Sequence, residues 1–270
     1  MEGLGNDFIV VDGAPGRITA AAAVRLCDRR RGIGADGVLT VRPKSASSPA
    51  EMHVYNADGS VAEMCGNGLR CVVLELAPKG EALTIATGGG PRAGQVLPSG
   101  LVRVDLASAT LLGERIEAQV AGSARLGTGI SMGNPHLVLE PFAADVDLLA
   151  LARADGPALE RHPRFPERVN VGFVQVTGPR QARLVVFERG AGITDACGTG
   201  AGAAAVALVR AGLVEAPVEI TLPGGKLIVD IEGDPLGQTD LGRVAITGPA
   251  RAVYVGEVEL DAGEWIGAHS

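Results

Sequence analysis

Two stretches decide how this chain folds: MCGNGLRC at Met64–Cys71 and ACGTGAGA at Ala196–Ala203. Each reads Cys-Gly-polar-Gly and opens onto a helix-forming run. Glycine on both sides of the polar residue lets another group approach the backbone closely. Aligning Cys65 with Cys197 sets Asn56 opposite Glu188, each at the end of a strand-like segment. Further back, Gly37-Val-Leu-Thr-Val falls near Gly172-Phe-Val-Gln-Val, and Leu4-Gly5-Asn6 near Met132-Gly133-Asn134. Three matches in one order predict an internal duplication, hence two similar lobes with a cleft between them. The join is expected within Ala107–Gly122, with an N-terminal lobe over 1–112 and a C-terminal lobe over 113–248. A last strand over about 249–260 is expected to return to the N-terminal lobe.

The local patterns fill these lobes mostly with strands. Short apolar or alternating runs predict strands at Phe8–Asp12, Val38–Val41, Glu51–Asn56, Leu83–Thr87 and Leu101–Leu106. The second half repeats the style at His136–Glu140, Val171–Thr177, Ala182–Glu188, Val218–Leu222, Leu227–Ile231 and Val253–Leu260. Four helices are predicted. One is capped by Thr19, runs through Arg30 and stops at Gly32, which makes Arg29–Arg31 a solvated helix end. The others are Gly68–Leu76, Asp147–Ala154 and Ala201–Ala211. Many strands with few helices read as an α+β fold, each lobe a mixed, mostly antiparallel sheet around a helix.

Composition narrows the function classes. The 270 residues suit about two domains, and 46% hydrophobic with 20% charged residues is ordinary for a folded chain. Only 3% are aromatic, so the core must be Val, Leu, Ile and Ala. A net charge of −7 leaves no basic footprint for nucleic acid or an anionic membrane. The longest apolar run, Ala201–Val209, is far short of the ~20 residues that span a bilayer. The N-terminus carries Glu2 and Asp7 where a signal peptide needs a basic region. A cytoplasmic protein is expected. Cys27, Cys65, Cys71 and Cys197 have no C-x-x-C spacing, so no metal site is expected.

The paired motifs point to proton transfer. The first N–H groups of a helix lack intrahelical partners and sit at the positive end of its dipole. Such a terminus lowers a thiol pKa and also holds a carboxylate. Two of them would place one cysteine on each face of a carbon α to that carboxylate. One thiolate removes a proton and the other thiol returns one, inverting the centre. Helix N–H groups stabilise the charge that spreads onto the carboxylate. Cys65 and Cys197 are therefore the candidate acid and base, and Cys27 and Cys71 are core thiols. The chain has three lysines, Lys44, Lys79 and Lys226, none in a phosphate-binding setting. A pyridoxal phosphate Schiff base is not expected, and no cofactor is.

At these residues the sequence resembles the diaminopimelate epimerase family. The likeness rests on GLGNDFIVVDG (Gly3–Gly13), RRRGIGADGVL (Arg29–Leu39) and YNADGSVAEMCGNGLRC (Tyr55–Cys71). It continues through SMGNPH (Ser131–His136), FPERVNVGF (Phe165–Phe173), FERGAGITDACGTGAG (Phe187–Gly202) and LPGG (Leu222–Gly225). The resemblance implies an isomerase of two pseudo-symmetric lobes with the site in the cleft. It would interconvert LL- and meso-2,6-diaminopimelate without metal or cofactor, for lysine and peptidoglycan precursors. It implies catalytic roles for Cys65 and Cys197, and tuning of their pKa values by His136 and Glu188. Gly66, Asn67, Gly198 and Thr199 would hold the reacting carboxylate. Asn6, Asn56, Asn134, Asn170, Glu188 and Arg189 match substrate-binding positions. Arg189 can fork a distal carboxylate while Glu188 accepts from the ammonium. The family's frequent dimers imply a homodimer with Tyr254 in the contact region. Two positions depart from the common pattern: Gly37 stands where many members have Gln, and Ile193 where Glu is usual.

Other readings remain open: a cofactor-independent racemase of the proline-racemase type, a binder of dicarboxylic amino acids, or a redox switch joining Cys65 to Cys197. The ERGAG and GNPH contexts favour the epimerase.

Overall fold

In the computed structural model, residues 1–13, 18–46 and 49–260 are described. They fall into two units: Met1–Val104 with the chain from Gly248 onward, and Asp105–Thr247. The division lies after Val104, where the sequence reading put it after Leu112.

The first unit begins with the hairpin of β1 (Glu2–Gly3) and β2 (Asn6–Asp12), followed by α1 (Ala20–Cys27). Then come β3 (Gly37–Arg42), β4 (Ala50–Asn56), β5 (Val61–Ala62), α2 (Gly66–Leu76), β6 (Ala82–Ala86), β7 (Arg92–Val96) and the start of β8 (Val102–Val120). The order across the sheet is β1-β2-β3-β4-β6-β7-β8, with β5 on β4. The β2/β3 and β4/β6 pairs are parallel and the others antiparallel. Helix α2 is buried from Gly66 to Val73. Its fully buried Arg70 donates from Nε to the carbonyl of Pro249 at 3.2 Å. Gly3 gives it room: a Cβ there would lie 3.0 Å from Arg70 Nη2.

The second unit continues β8 and adds β9 (Ser123–Ser131), β10 (Pro135–Leu139), α3 (Leu148–Glu160), β11 (Asn170–Gly178), β12 (Gln181–Glu188) and β13 (Gly192–Ile193). α4 (Gly198–Arg210), β14 (Val218–Leu222), β15 (Gly225–Glu232) and β16 (Asp240–Gly248) complete it. The order β8-β16-β15-β14-β12-β11-β10-β9 closes on itself, because β9 pairs back on β8 from Thr110↔Ser131 to Val120↔Ser123. Helix α4 packs against β9, β10, β11, β12, β14 and β15. That explains its composition. Ala203, Ala204 and Ala205 are wholly buried, and a Cβ on Gly202 would crowd Val244 at 3.1 Å and Met132 at 3.2 Å. Only small residues let the helix sit this close to strands on several sides.

The strand pairing repeats in kind. The sequence parallel, antiparallel, parallel, antiparallel along β2-β3-β4-β6-β7 recurs along β10-β11-β12-β14-β15. The short β5 on β4 has its counterpart in β13 on β12. Two lobes of one α+β design, each a mixed and mostly antiparallel sheet about a helix, are therefore what the duplicated motifs encode.

Several expectations need correction. Ala107–Gly122 is no linker: most of it is β8, whose pairing with β9 shifts register between Leu111 and Gly113 and again before Ile116. Those bulges break the alternation that marks a strand. Helix α1 ends at Cys27, not Arg30. The Asp28 carboxylate accepts from the backbone N–H groups of Arg30 and Arg31 and turns the chain. Arg29 is thus in a loop and ion-paired to Asp7 and Asp36. Helix α3 runs past Ala154 through Gly156 and Pro157, because buried Asp155 pairs with Arg125 at 2.7 Å and Leu159 is buried. Val253–Leu260 forms no strand. Within residues 249–260 the chain makes one isolated bridge, Glu2↔Arg251, stays exposed from there through Glu259 and packs Leu260 partly against the cluster around Leu26.

Candidate active site

In the first unit, Cys65 is the N-cap of α2, with extended backbone (φ −138°, ψ 117°) before the helix turns at Gly66. A Cβ on Gly68 would lie 3.1 Å from a Leu39 methyl group, so glycine lets the helix start pack onto β3. The half-buried Cys65 thiol points to Asn6 Oδ1, 3.9 Å away. The same oxygen accepts from Asn67 Nδ2 at 3.1 Å. Asn6 Nδ2 in turn donates to Asp36 Oδ2 at 2.7 Å. Asn6, Cys65 and Asn67 are thus brought together, with Gly66 between the last two. Asn56 ends β4, and its Nδ2 donates to Ser60 Oγ at 2.9 Å within its own turn.

In the second unit, Cys197 caps α4 and is buried. Its sulfur accepts from the backbone N–H of Gly200 at 3.3 Å. Its thiol donates to Glu188 Oε2 at 3.2 Å. Thr199 Oγ1 lies 3.6 Å from the sulfur and receives Asn134 Nδ2 at 3.5 Å. Asn134 Oδ1 is 3.1 Å from His136 Nε2. His136 pairs across the parallel strands with Asn170. Asn170 Oδ1 accepts the backbone N–H of Arg189 at 3.0 Å, and its Nδ2 donates to Pro135 O at 2.9 Å. Asn134, His136, Asn170, Glu188, Arg189, Cys197 and Thr199 therefore form one connected cluster, with Gly198 at the helix start.

Burial sets the electrostatics of this cluster. It pushes the Cys197 thiol well above its ordinary value, and the neighbouring Glu188 charge pushes the same way. Burial also raises the Glu188 carboxyl, against hydrogen bonds from Thr194 and Cys197. His136 is driven down to about 3 by burial and then by Arg189, so its ring is neutral and bonds Asn134. Cys27 and Cys71 are buried in the first unit, and burial lifts their thiols to about 11 and about 12. They stay protonated core residues, and none of the four cysteines is in a disulfide.

Three residues escaped the sequence reading. Thr194 Oγ1 donates to Glu188 Oε1 and holds the carboxylate whose other oxygen meets Cys197. Its only sequence signal is a hydroxyl residue just after the short strand returning from Glu188. Glu160, buried in α3, accepts from the backbone N–H of Gly190 at 3.1 Å beside Arg189. Asp36 anchors Asn6. Nothing local to Glu160 or Asp36 marks either role.

The two departures from the common motif also gain a physical reason. A Cβ at Gly37 would lie 2.7 Å from the carbonyl oxygen of Tyr55, so this backbone spacing admits no side chain. Ile193 packs with Phe187 on the apolar cluster of the second unit and needs no charge partner there. Among the described residues, no group of three His, Cys, Asp or Glu side chains is placed to hold a metal ion. No described helix is long and apolar enough to cross a membrane.

The family model described as diaminopimelate epimerase matches residues 1–112 and 128–247. The diaminopimelate epimerase of Synechococcus sp. (strain JA-3-3Ab) is 44% identical, over 94% of this chain and 95% of that protein. That of Rhizorhabdus wittichii is 41% identical, over 97% and 95%. Among solved structures, a probable proline racemase from Agrobacterium radiobacter K84 aligns with a TM-score of 0.72 over 96% of this chain and 92% of its own, at 16% identity. That likeness speaks to the fold alone. Both thiol-bearing helix starts lie inside the matched family segments, and the match to named relatives runs nearly end to end: the chain belongs to the diaminopimelate epimerase family.

Proposed function

We propose that this protein interconverts LL- and meso-2,6-diaminopimelate by proton transfer between two thiols, Cys65 and Cys197. The observation that carries the reading is the pair of thiols at repeat-related helix starts, each bonded to a side chain from its own unit. One thiolate removes the α-proton, and its sulfur becomes the thiol. The other thiol delivers its proton to the opposite face and becomes the thiolate. Between these transfers the electron pair spreads onto the α-carboxylate, which the N-termini of α2 and α4 favour. The residues at the helix starts, Gly66, Asn67, Gly198 and Thr199, hold that carboxylate. Asn6, Asn56, Asn134 and Asn170 orient the substrate's polar groups, Glu188 and Arg189 take the distal ammonium and carboxylate, and His136 tunes the site through Asn134. No cofactor enters this scheme. The reaction serves lysine and peptidoglycan precursor synthesis in the cytoplasm. The protein acts as a homodimer through the apolar strip Val253, Tyr254, Val255 and Val258, which lies exposed after β16.

Incubation of reduced protein with LL-diaminopimelate in deuterated water tests the activity. Deuterium at an α-carbon together with the meso isomer is expected. Absence of both refutes it, and exchange into L-proline instead would assign the racemase reading. Sedimentation of wild-type and Tyr254→Asp protein tests the dimer.

A further inference from the structure

The side chain of Asn6 is gripped at both ends. Its Nδ2 donates to Asp36 Oδ2 at 2.7 Å, and its Oδ1 faces Asn67 Nδ2 and the Cys65 thiol. Asp36 is itself fixed. Arg29 Nη2 donates to its Oδ1 at 2.8 Å, and the backbone N–H of Asp7 donates to its Oδ2 at 3.2 Å. Arg29 also forks onto both oxygens of Asp7, at 2.7 and 3.0 Å. Burial pushes the Asp7 carboxyl up, but Arg29 outweighs it and holds the group below the usual carboxylate range. The cluster is built because β2 and β3 run parallel with Phe8 opposite Gly37, which sets residues 7 and 36 side by side at the strand starts.

We propose that Asp36 is a positioning residue for Cys65, acting through the side-chain amide of Asn6. The inference rests on the reading of Cys65 as a reacting thiol. A carboxylate only accepts hydrogen bonds, so it selects the amide's nitrogen and turns the amide's oxygen toward the thiol. The repeat makes the selection plain. Asn134, the counterpart of Asn6, has its oxygen taken by the His136 ring, and so presents its nitrogen to Thr199 beside Cys197. Two equivalent asparagines thus offer opposite ends to the two thiol-bearing helices because different side chains hold them from behind. The side chains of Arg29 and Asp36 are 57% and 43% exposed, so their pairing adds little to stability and acts by direction.

The test follows alkylation of Cys65 by iodoacetamide against pH in Cys197→Ala protein, with the modified residue located by mass spectrometry. Asp36→Asn can donate as well as accept, so Asn6 is free to turn its nitrogen to the sulfur. The alkylation midpoint then moves to lower pH. In protein with both thiols, kcat falls about tenfold at an unchanged thermal midpoint. Asp36→Glu keeps an accept-only group and holds the midpoint near wild type. Asp7→Asn removes an equal charge from the cluster while leaving the Asn6 side chain alone, and leaves both readouts unchanged. Buried Arg70 of α2, which interacts electrostatically with Cys65, is the same in every variant. A wild-type midpoint and kcat in Asp36→Asn, or an equal shift in Asp7→Asn, overturns the proposal. If Cys65→Ala still epimerises, the two-thiol reading itself has failed; if Cys65→Ala is inactive and Asp36→Asn behaves as wild type, only the positioning role has.

Discussion

The Cys197 thiol donates to Glu188 at 3.2 Å, whereas the Cys65 thiol faces the neutral amide oxygen of Asn6 at 3.9 Å. The two motifs are repeats, yet the thiols they carry are electrically unlike. Cys197 is buried beside a carboxylate, and both features disfavour its thiolate. Cys65 is half-buried beside an amide.

Glu188→Gln separates charge from burial at Cys197. The amide removes the like-sign repulsion and leaves the burial, so the Cys197 thiol pKa falls but stays above its ordinary value. In a Cys65→Ala background, alkylation of Cys197 followed against pH, with the modified residue located by mass spectrometry, gives the midpoint. A midpoint that stays in place or rises would show that the carboxylate does not act on this thiol.

The caps differ as well. Cys197 accepts the Gly200 N–H, while Cys65 makes no side-chain cap bond. Loss of a capping acceptor costs roughly 0.5–2 kcal/mol. Cys197→Ala is therefore expected to be less stable than Cys197→Ser by about 1 kcal/mol in urea unfolding. Cys65→Ala and Cys65→Ser should unfold alike. All four variants should lack epimerase activity. Equal stability of the two Cys197 variants would remove the sulfur from the cap.

What was legible in the sequence follows the range of the forces involved. The existence of both helices is legible because glycine and capping rules act within a few residues, although they begin at Gly66 and Gly198 rather than the expected Gly68 and Ala201, and Val218–Leu222 is legible from plain alternation. β8 is legible only at its start, where Leu101–Leu106 predicts a strand, because bulges near Gly113 break the alternation farther along. The alternation in Val253–Leu260 predicts a strand, yet a strand needs a neighbour, and the one bridge here, Glu2↔Arg251, falls before this segment. The site divides in the same way. Cys197, Glu188 and Arg189 stand in one continuous motif. Asp36 reaches Asn6 and Glu160 reaches Gly190 only through the fold.

His136 should make the protein acid-sensitive. Its folded pKa, about 3, lies below the ordinary 6.5 because of burial first and Arg189 second. Unfolded chains take up a proton near 6.5 and the folded protein does not. This stability is therefore fully present above 6.5 and is lost as pH falls from 6.5 toward about 3. The slope reaches at most about 1.4 kcal/mol per pH unit. Urea midpoints across that window should fall less steeply in His136→Gln, and equal slopes would mean the ring protonates in the folded state.

Gly156 gives a packing test that reaches the site. A Cβ there would lie 2.4 Å from Cδ2 and 2.6 Å from Cγ of Phe187. In an exposed helix, Gly→Ala gains about 1 kcal/mol of propensity. Here the ring must move, and it packs on the apolar cluster of the second unit. Overpacking costs about 1–3 kcal/mol, so destabilisation is expected to win. Phe187 directly precedes Glu188 on β12, so a displaced ring shifts the carboxylate that meets Cys197. Gly156→Ala should therefore lower both the unfolding midpoint and kcat. Adding Phe187→Leu, which vacates the space of the ring, should recover part of the stability. A Gly156→Ala protein as stable as wild type would show that the ring has room to retreat.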